Sequence, residues 1–131
     1  MRKILVTGAG GFVGARILDQ WRGRYELCMF PHGFSADSDE AAVRALIARE
    51  KPDVIVHTVA LSNTAYCASH PEESLRANVL LPEWIAKAAA ETGAKLLAFS
   101  SDQVYAGCKR SGPLPETLSL APANVYGCHK L

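Results

Sequence analysis

The sequence predicts an α/β protein with a doubly wound parallel sheet. Three observations carry this: short apolar runs recur along the chain, amphipathic helical stretches separate them, and a glycine cluster, Thr7-Gly8-Ala9-Gly10-Gly11-Phe12-Val13-Gly14, marks the first junction between the two. Strands alternating with helices imply right-handed crossovers, and the expected strand order is 3-2-1-4. A length of 131 residues allows one domain, burying roughly two-thirds of the surface that the unfolded chain exposes.

Ile4-Leu5-Val6 is an apolar run that ends at Gly8, the pattern of a strand covered on both faces. Val13, Ile17 and Trp21 then recur at helical spacing with Leu18 beside them, and Gly23 stands where a helix C-terminal cap is expected. Glu26 to Phe30 reads as the second strand, stopped by Pro31 and the turn-prone His32-Gly33. Ser38 or Asp39 can then cap a helix that carries Val43, Leu46 and Ile47. The third strand is Val54-Ile55-Val56-His57. From Pro71 to about Thr92 a helix is expected, with Leu75, Val79, Leu80, Trp84, Ile85 and Ala88 on its inner stripe and a kink at Pro82. Lys95 to Phe99 is the fourth strand. A loop rich in glycine and proline leads to Pro122, and Val125 to Leu131 reads as the first turns of a helix.

The charge balance argues against several classes of partner. With 14 basic and 13 acidic residues and a net charge of +1, there is no electrostatic footprint for nucleic acid or an anionic membrane. Cys28, Cys67, Cys108 and Cys128 are scattered without a C-x-x-C pair, which fits a reducing cytosol better than a disulfide framework or a zinc site. His57, His70 and His129 lack metal-ligand spacing, so no metal is expected. The apolar stretch before Gly8 is too short for a signal-peptide core, and no stretch approaches a transmembrane span.

A tight strand-to-helix turn needs residues without Cβ so that the backbone can approach a pyrophosphate, while the helix N-terminus supplies amide donors and a favourable dipole. Gly8, Gly11 and Gly14 have this spacing and Gly10 loosens the loop further, so Gly8, Gly10, Gly11, Phe12, Val13 and Gly14 form a candidate dinucleotide-binding segment of Rossmann type. The strand before and the helix after favour this over a glycine-rich turn that binds nothing. A carboxylate usually closes the second strand to hold the adenosine ribose, but here the strand ends Phe30-Pro31-His32. Its absence removes a charge that would repel a 2′-phosphate and leans the choice towards NADP over NAD. His32 or Arg16 is then the phosphate partner, unless both are ordinary surface residues. Asp37 either faces the adenine or serves, with Asp39, in capping and solvation.

Two later segments carry chemistry. Phe99-Ser100-Ser101-Asp102-Gln103-Val104-Tyr105 leaves the fourth strand, and Pro122-Ala123-Asn124-Val125-Tyr126-Gly127-Cys128-His129-Lys130 opens the last helix. Tyr126 and Lys130 are four apart, which puts phenol and ammonium on one helix face, where the cation favours the phenolate. A hydroxyl at a strand's C-terminal end, such as Ser101, can then bond a substrate carbonyl while Tyr126 moves the proton. Alone, a Tyr-x-x-x-Lys pair is commonly a plain surface pair; downstream of a glycine loop and strand-end serines it is far more specific.

Together these residues resemble the extended branch of the short-chain dehydrogenase/reductase superfamily. Lys51-Pro52-Asp53-Val54-Ile55-Val56-His57, Asn78, the Ser100–Gly107 run and Pro122-x-x-x-Tyr126-Gly127-x-x-Lys130 look most like dTDP-4-dehydrorhamnose reductases. UDP-galactose epimerases and sugar-nucleotide dehydratases are similar but less close. The resemblance implies that Ser101 orients the carbonyl of a nucleotide-sugar substrate, that Tyr126 is the general acid, and that Lys130 holds the nicotinamide ribose and tunes Tyr126. It further implies that Ala60, Leu61 and Ser62 line the dinucleotide, although a packed apolar loop explains Leu61 equally well. Asn78 falls at a family asparagine that supports the active-site backbone.

Members of that branch are considerably longer. The resemblance therefore implies that residues 1–131 are the N-terminal part of a NAD(P)-binding domain, without the later strands and the C-terminal substrate lobe. Impaired turnover is expected, with a non-catalytic dinucleotide-binding or regulatory module as the alternative. A bare fourth strand and final helix also lead us to expect association into a homo-oligomer.

Overall fold

The computed structural model describes all 131 residues. Two compact units divide them: Met1–Ala60 with Leu80–Phe99, and Leu61–Val79 with Ser100–Leu131. In the first unit, β1 (Lys3–Thr7), β2 (Glu26–Met29), β3 (Val54–His57) and β4 (Lys95–Ala98) form one parallel sheet, with α1 (Phe12–Trp21), the short α2 (Phe34–Asp37), α3 (Glu40–Glu50) and α6 (Leu81–Thr92) between them. The second unit holds α4 (Thr64–Ser69), α5 (Pro71–Leu75), a 3₁₀ turn at Asp102–Tyr105 and α7 (Val125–His129). No helix is long and apolar enough to cross a membrane.

The doubly wound α/β class is as expected, but the strand order is not. The sheet runs β2-β1-β3-β4, so β3 lies beside β1 and the expected 3-2-1-4 is corrected. The reason is burial. Ile55, Val56 and His57 of β3 are all buried, whereas β2 begins on exposed Glu26 and ends on exposed Met29. A strand with both faces covered belongs inside the sheet, and one with polar or exposed ends can take the edge.

Alternation along the strands divides the core in two. Leu5 and Ile55 point to the face covered by α3 and α6, where Val43, Leu46, Ile47, Leu81, Ile85 and Ala88 are buried with them. Ile4, Val6 and Val56 point to the opposite face and meet Ile17, Leu18 and Trp21 of α1. Each fully buried Leu or Ile contributes about 1.5–3 kcal/mol, so most of this unit's stabilisation lies on the α3 and α6 side. On the α1 side Leu97 remains 44% exposed, and Phe99, just past β4, 52%. Cys28 is half-buried, and burial pushes its thiol up, which keeps it in the unreactive form.

Local signals placed the helix ends. Asp39 caps α3, its carboxylate accepting from the Ala42 amide at 2.8 Å, as one of the two expected caps. The kink expected at Pro82 is a π turn over Arg76–Leu80. Proline has no N–H for the Asn78 carbonyl and its ring crowds that carbonyl, so the helix widens by one residue. The expected inner stripe is only partly correct. Ile85 and Ala88 are buried, but Leu75 is exposed and polar Ser74 and Asn78 lie inside instead.

Candidate functional site

The glycine turn stands where the winding of the sheet reverses. After β1 the chain moves outward to β2 and then returns across β1 to β3, leaving a crevice at the carboxyl ends of these strands. Thr7 fixes the start of the turn: its hydroxyl lies 2.8 Å from Nδ1 of buried His57 and accepts the Thr58 amide at 3.2 Å, while the Thr58 hydroxyl donates to the Thr7 carbonyl at 2.6 Å. Gly8 has φ +71°, in the left-handed region that favours glycine. The Gly11 amide donates to the Gly8 carbonyl at 2.9 Å, and a Cβ on Gly14 would collide with that carbonyl oxygen. The turn is thus closed against the helix it introduces. At Gly10 a Cβ would meet nothing within 4 Å, which leaves that side of the loop open.

The first turn of α1 suits an anion. No side chain caps its N-terminus and its first turn holds no acidic residue, so its amides and the positive end of its dipole are left to a ligand. Gly8 to Gly11 line a cavity of about 550 Å³ whose other walls are Leu18, Val59 and the segment from Met29 to Gly33, with Ser35 and Ala36. No carboxylate lines it. Of the two residues considered for a phosphate, His32 lines this cavity and Arg16 does not; the Arg16 guanidinium sits 5.7 Å from the Phe12 ring centre. Phe12, 81% exposed, and Val13 line a separate groove with Arg16 and Trp21, and neither lines this cavity. Asp37 lies against the Gly33 turn, its Oδ2 3.3 Å from the position of a Gly33 Cβ.

In the second unit the sequence around Tyr126 builds a compact joint. Asn124 caps α7, accepting the Gly127 amide at 2.7 Å, and its Nδ2 donates to Gln103 Oε1 at 2.9 Å. Gly127 lets the 3₁₀ turn approach, since a Cβ there would stand 2.7 Å from the Gln103 carbonyl. Half-buried Ser101 opens that turn, its Oγ accepting the Gln103 amide at 3.2 Å. Ser100 Oγ donates to the Lys130 carbonyl at 3.0 Å. The strand-end serines and the Tyr126–Lys130 helix are therefore held on touching elements. Tyr126 is 7% exposed, and the Lys130 amide donates to its carbonyl at 3.0 Å, one helical turn on.

Burial pushes the Lys130 ammonium below the ordinary lysine range. Between its folded and unfolded pKa values the folded chain binds fewer protons, so stability rises with pH across that window, and below it the charged form costs stability. Lys130→Met is therefore expected to raise the melting temperature at pH 7 by about 2 °C. A thermal melt checks this; a fall would mean that the ammonium makes a contact outweighing its burial.

Asn78 grips the segment after β3. Its Oδ1 accepts the Leu61 amide at 3.0 Å and its Nδ2 donates to the Leu61 carbonyl at 2.9 Å, while Cys67 Sγ approaches the same carbonyl at 3.2 Å. Ala60 and Ser62 on either side are exposed, and Ala60, Leu61 and Ser62 are not among the residues that line the cavity at the glycine turn. Sequence reasoning missed Asn124, Gln103 and Ser74. For Asn124 the signal was present, an asparagine at the position before a helix. Ser74 and Gln103 left none.

A glycine turn of this spacing at the reversal point of a parallel sheet, with a Tyr-x-x-x-Lys helix downstream, defines an extended short-chain dehydrogenase/reductase. The model of the RmlD substrate binding domain family matches residues 1–131, and the chain belongs to that family. Two curated relatives are the methionine adenosyltransferase 2 subunit beta of Xenopus laevis, 36% identical over 99% of this chain and 41% of that protein, and the dTDP-4-dehydrorhamnose reductase of Mycolicibacterium smegmatis, 31% identical over 99% and 39%. The crystal structure of a dTDP-4-dehydrorhamnose reductase from Clostridium acetobutylicum superposes with a TM-score of 0.90 at 27% identity, covering 98% of this chain and 46% of that one. The chain thus spans about four-tenths of the length of these curated relatives.

Proposed function

We propose that this chain is the dinucleotide-binding part of a reductase that passes hydride from NADPH to a nucleotide-linked 4-keto sugar in the cytoplasm. One observation carries the reading: the glycine turn, closed by Gly14 against the Gly8 carbonyl, faces a cavity that no carboxylate lines. The main chain of Gly8 to Val13 would hold the pyrophosphate and His32 the adenosine end, and by family resemblance Ala60, Leu61 and Ser62 would contact the dinucleotide. A bound nicotinamide would supply the hydride. Ser101 would orient the carbonyl, Tyr126 would deliver the proton to its oxygen, and Lys130 would hold the nicotinamide ribose and keep Tyr126 poised. The exposed β4 edge is where further strands, or a second copy of the chain, would pair.

Titration with NADPH and NADH, followed by tryptophan fluorescence and melting temperature, tests the binding half of this reading. NADPH is expected to bind about tenfold more tightly, a difference of about 1.4 kcal/mol. Tighter binding of NADH would reverse the cofactor preference, and no response to either at millimolar concentration would remove the binding site altogether. The relative named as a subunit of methionine adenosyltransferase favours a second reading, a non-catalytic dinucleotide-binding module that acts on a partner. Oxidation of NADPH on addition of a nucleotide 4-keto sugar separates the two, and epimerisation without net oxidation would point to the epimerase branch.

A further inference from the structure

We infer that His129 is a positioning residue: through Ser74 and Asn78 it ties the helix that carries Tyr126 and Lys130 to the backbone of Leu61. The chain of contacts is continuous. His129 Nδ1 lies 2.8 Å from Ser74 Oγ, Asn78 Nδ2 donates to that Oγ at 3.1 Å, and the Asn78 amide holds both backbone groups of Leu61. Ser74 has no exposed surface and Asn78 is 5% exposed, so both are polar groups placed where the helix would otherwise bury apolar ones. Buried groups of this kind persist only when paired.

The pairing also fixes direction. Asn78 uses both Nδ2 hydrogens and its oxygen, so it cannot flip without turning an NH₂ towards the Leu61 amide. Ser74 Oγ accepts from Asn78 and is also the partner of His129 Nδ1, with donor and acceptor in that second bond set by the ring tautomer. A histidine in the last turn of a helix can also act simply as a charge near the terminal carbonyls. That role would need no Ser74 or Asn78. The relay instead makes the order of the Leu61 segment depend on a side chain beside Lys130, and its bearing on catalysis rests on the proposal that this segment lines the dinucleotide.

Hydrogen exchange of the Leu61 amide in the chain itself tests the relay without any cofactor. His129→Ala is expected to speed Leu61 exchange about tenfold, whereas His129→Asn, which returns a polar atom near the Nδ1 position without a charge, is expected to stay within about threefold of the parent. The Ile55 amide of β3 should be unchanged in both. The inference is overturned if Leu61 is unaffected by His129→Ala, if the Ala and Asn variants behave alike, or if Ile55 quickens equally, which would mean general loosening. An NADPH titration of the same variants keeps the two ideas apart. Faster Leu61 exchange in a chain that binds no cofactor would sustain the relay and sink the proposed function.

Discussion

Gly14→Ala is expected to abolish dinucleotide binding and to cost the fold about 3 kcal/mol, the upper end of what overpacking does. The backbone at Gly14 is helical, so alanine would normally be preferred there. Sterics reverse that preference. The new methyl would overlap the Gly8 carbonyl oxygen and stand 2.8 Å from the Gly8 carbonyl carbon and 3.1 Å from Thr58 Oγ1. Two of these are backbone atoms of a turn held by Thr7 and Thr58, so relief requires moving the turn away from α1. That movement opens the Gly11 to Gly8 hydrogen bond and displaces the amides that would meet a pyrophosphate. A melting temperature lower by roughly 10 °C and loss of NADPH-induced stabilisation would report the two effects. Gly10→Ala is the control, because its methyl meets nothing within 4 Å, and its melting temperature should not move. If Gly14→Ala bound NADPH normally, close packing of turn on helix would not be what shapes the site.

Most of the sheet was legible because its signals are local. Ile4-Leu5-Val6 and Val54-Ile55-Val56-His57 announce covered strands, and Asp39 announces a helix start, without reference to anything distant. Strand order is a property of pairs. The expectation 3-2-1-4 followed from common topology, although the contrast between apolar Val54-Ile55-Val56 and a second strand that begins on Glu26 and is stopped by Pro31 is a local sign of an inner place for β3. The glycine turn was legible for the same reason as the strands: each glycine answers a short-range steric demand. Val13 was misread by periodicity, being 44% exposed while its neighbour Gly14 is buried. Ser74 and Asn78 were the harder case. An apolar-stripe argument passes over them by construction, since their burial is compensated by partners 55 and 17 residues away. Short α4 was missed for want of length, though Asn63 caps it by accepting the Tyr66 amide at 2.9 Å.

Tyr126→Phe is expected to lower turnover of a nucleotide 4-keto sugar about a thousandfold, within the range for a lost general acid. Cofactor affinity should change little. The substitution keeps the ring, which is 7% exposed and fills its place between α7 and its neighbours, and removes only the hydroxyl. The melting temperature should therefore stay within about 2 °C of the parent, unlike that of Tyr126→Ala, which would leave a cavity costing about 3–5 kcal/mol. This pairing of results separates chemistry from structure: a kcat that falls while Kd for NADPH and Tm hold assigns the proton to Tyr126. Ser101→Ala should show a smaller loss in kcat, because in the proposed mechanism its hydroxyl would orient the carbonyl and would not deliver the proton. If the protein as encoded binds NADPH but turns over no 4-keto sugar, Tyr126→Phe has nothing to lower, and the regulatory reading favoured by the adenosyltransferase-subunit relative takes its place. If it turns over sugar and Tyr126→Phe leaves kcat unchanged, the proton comes from elsewhere, and the helix joint at Asn124 and Gly127 positions Lys130 alone.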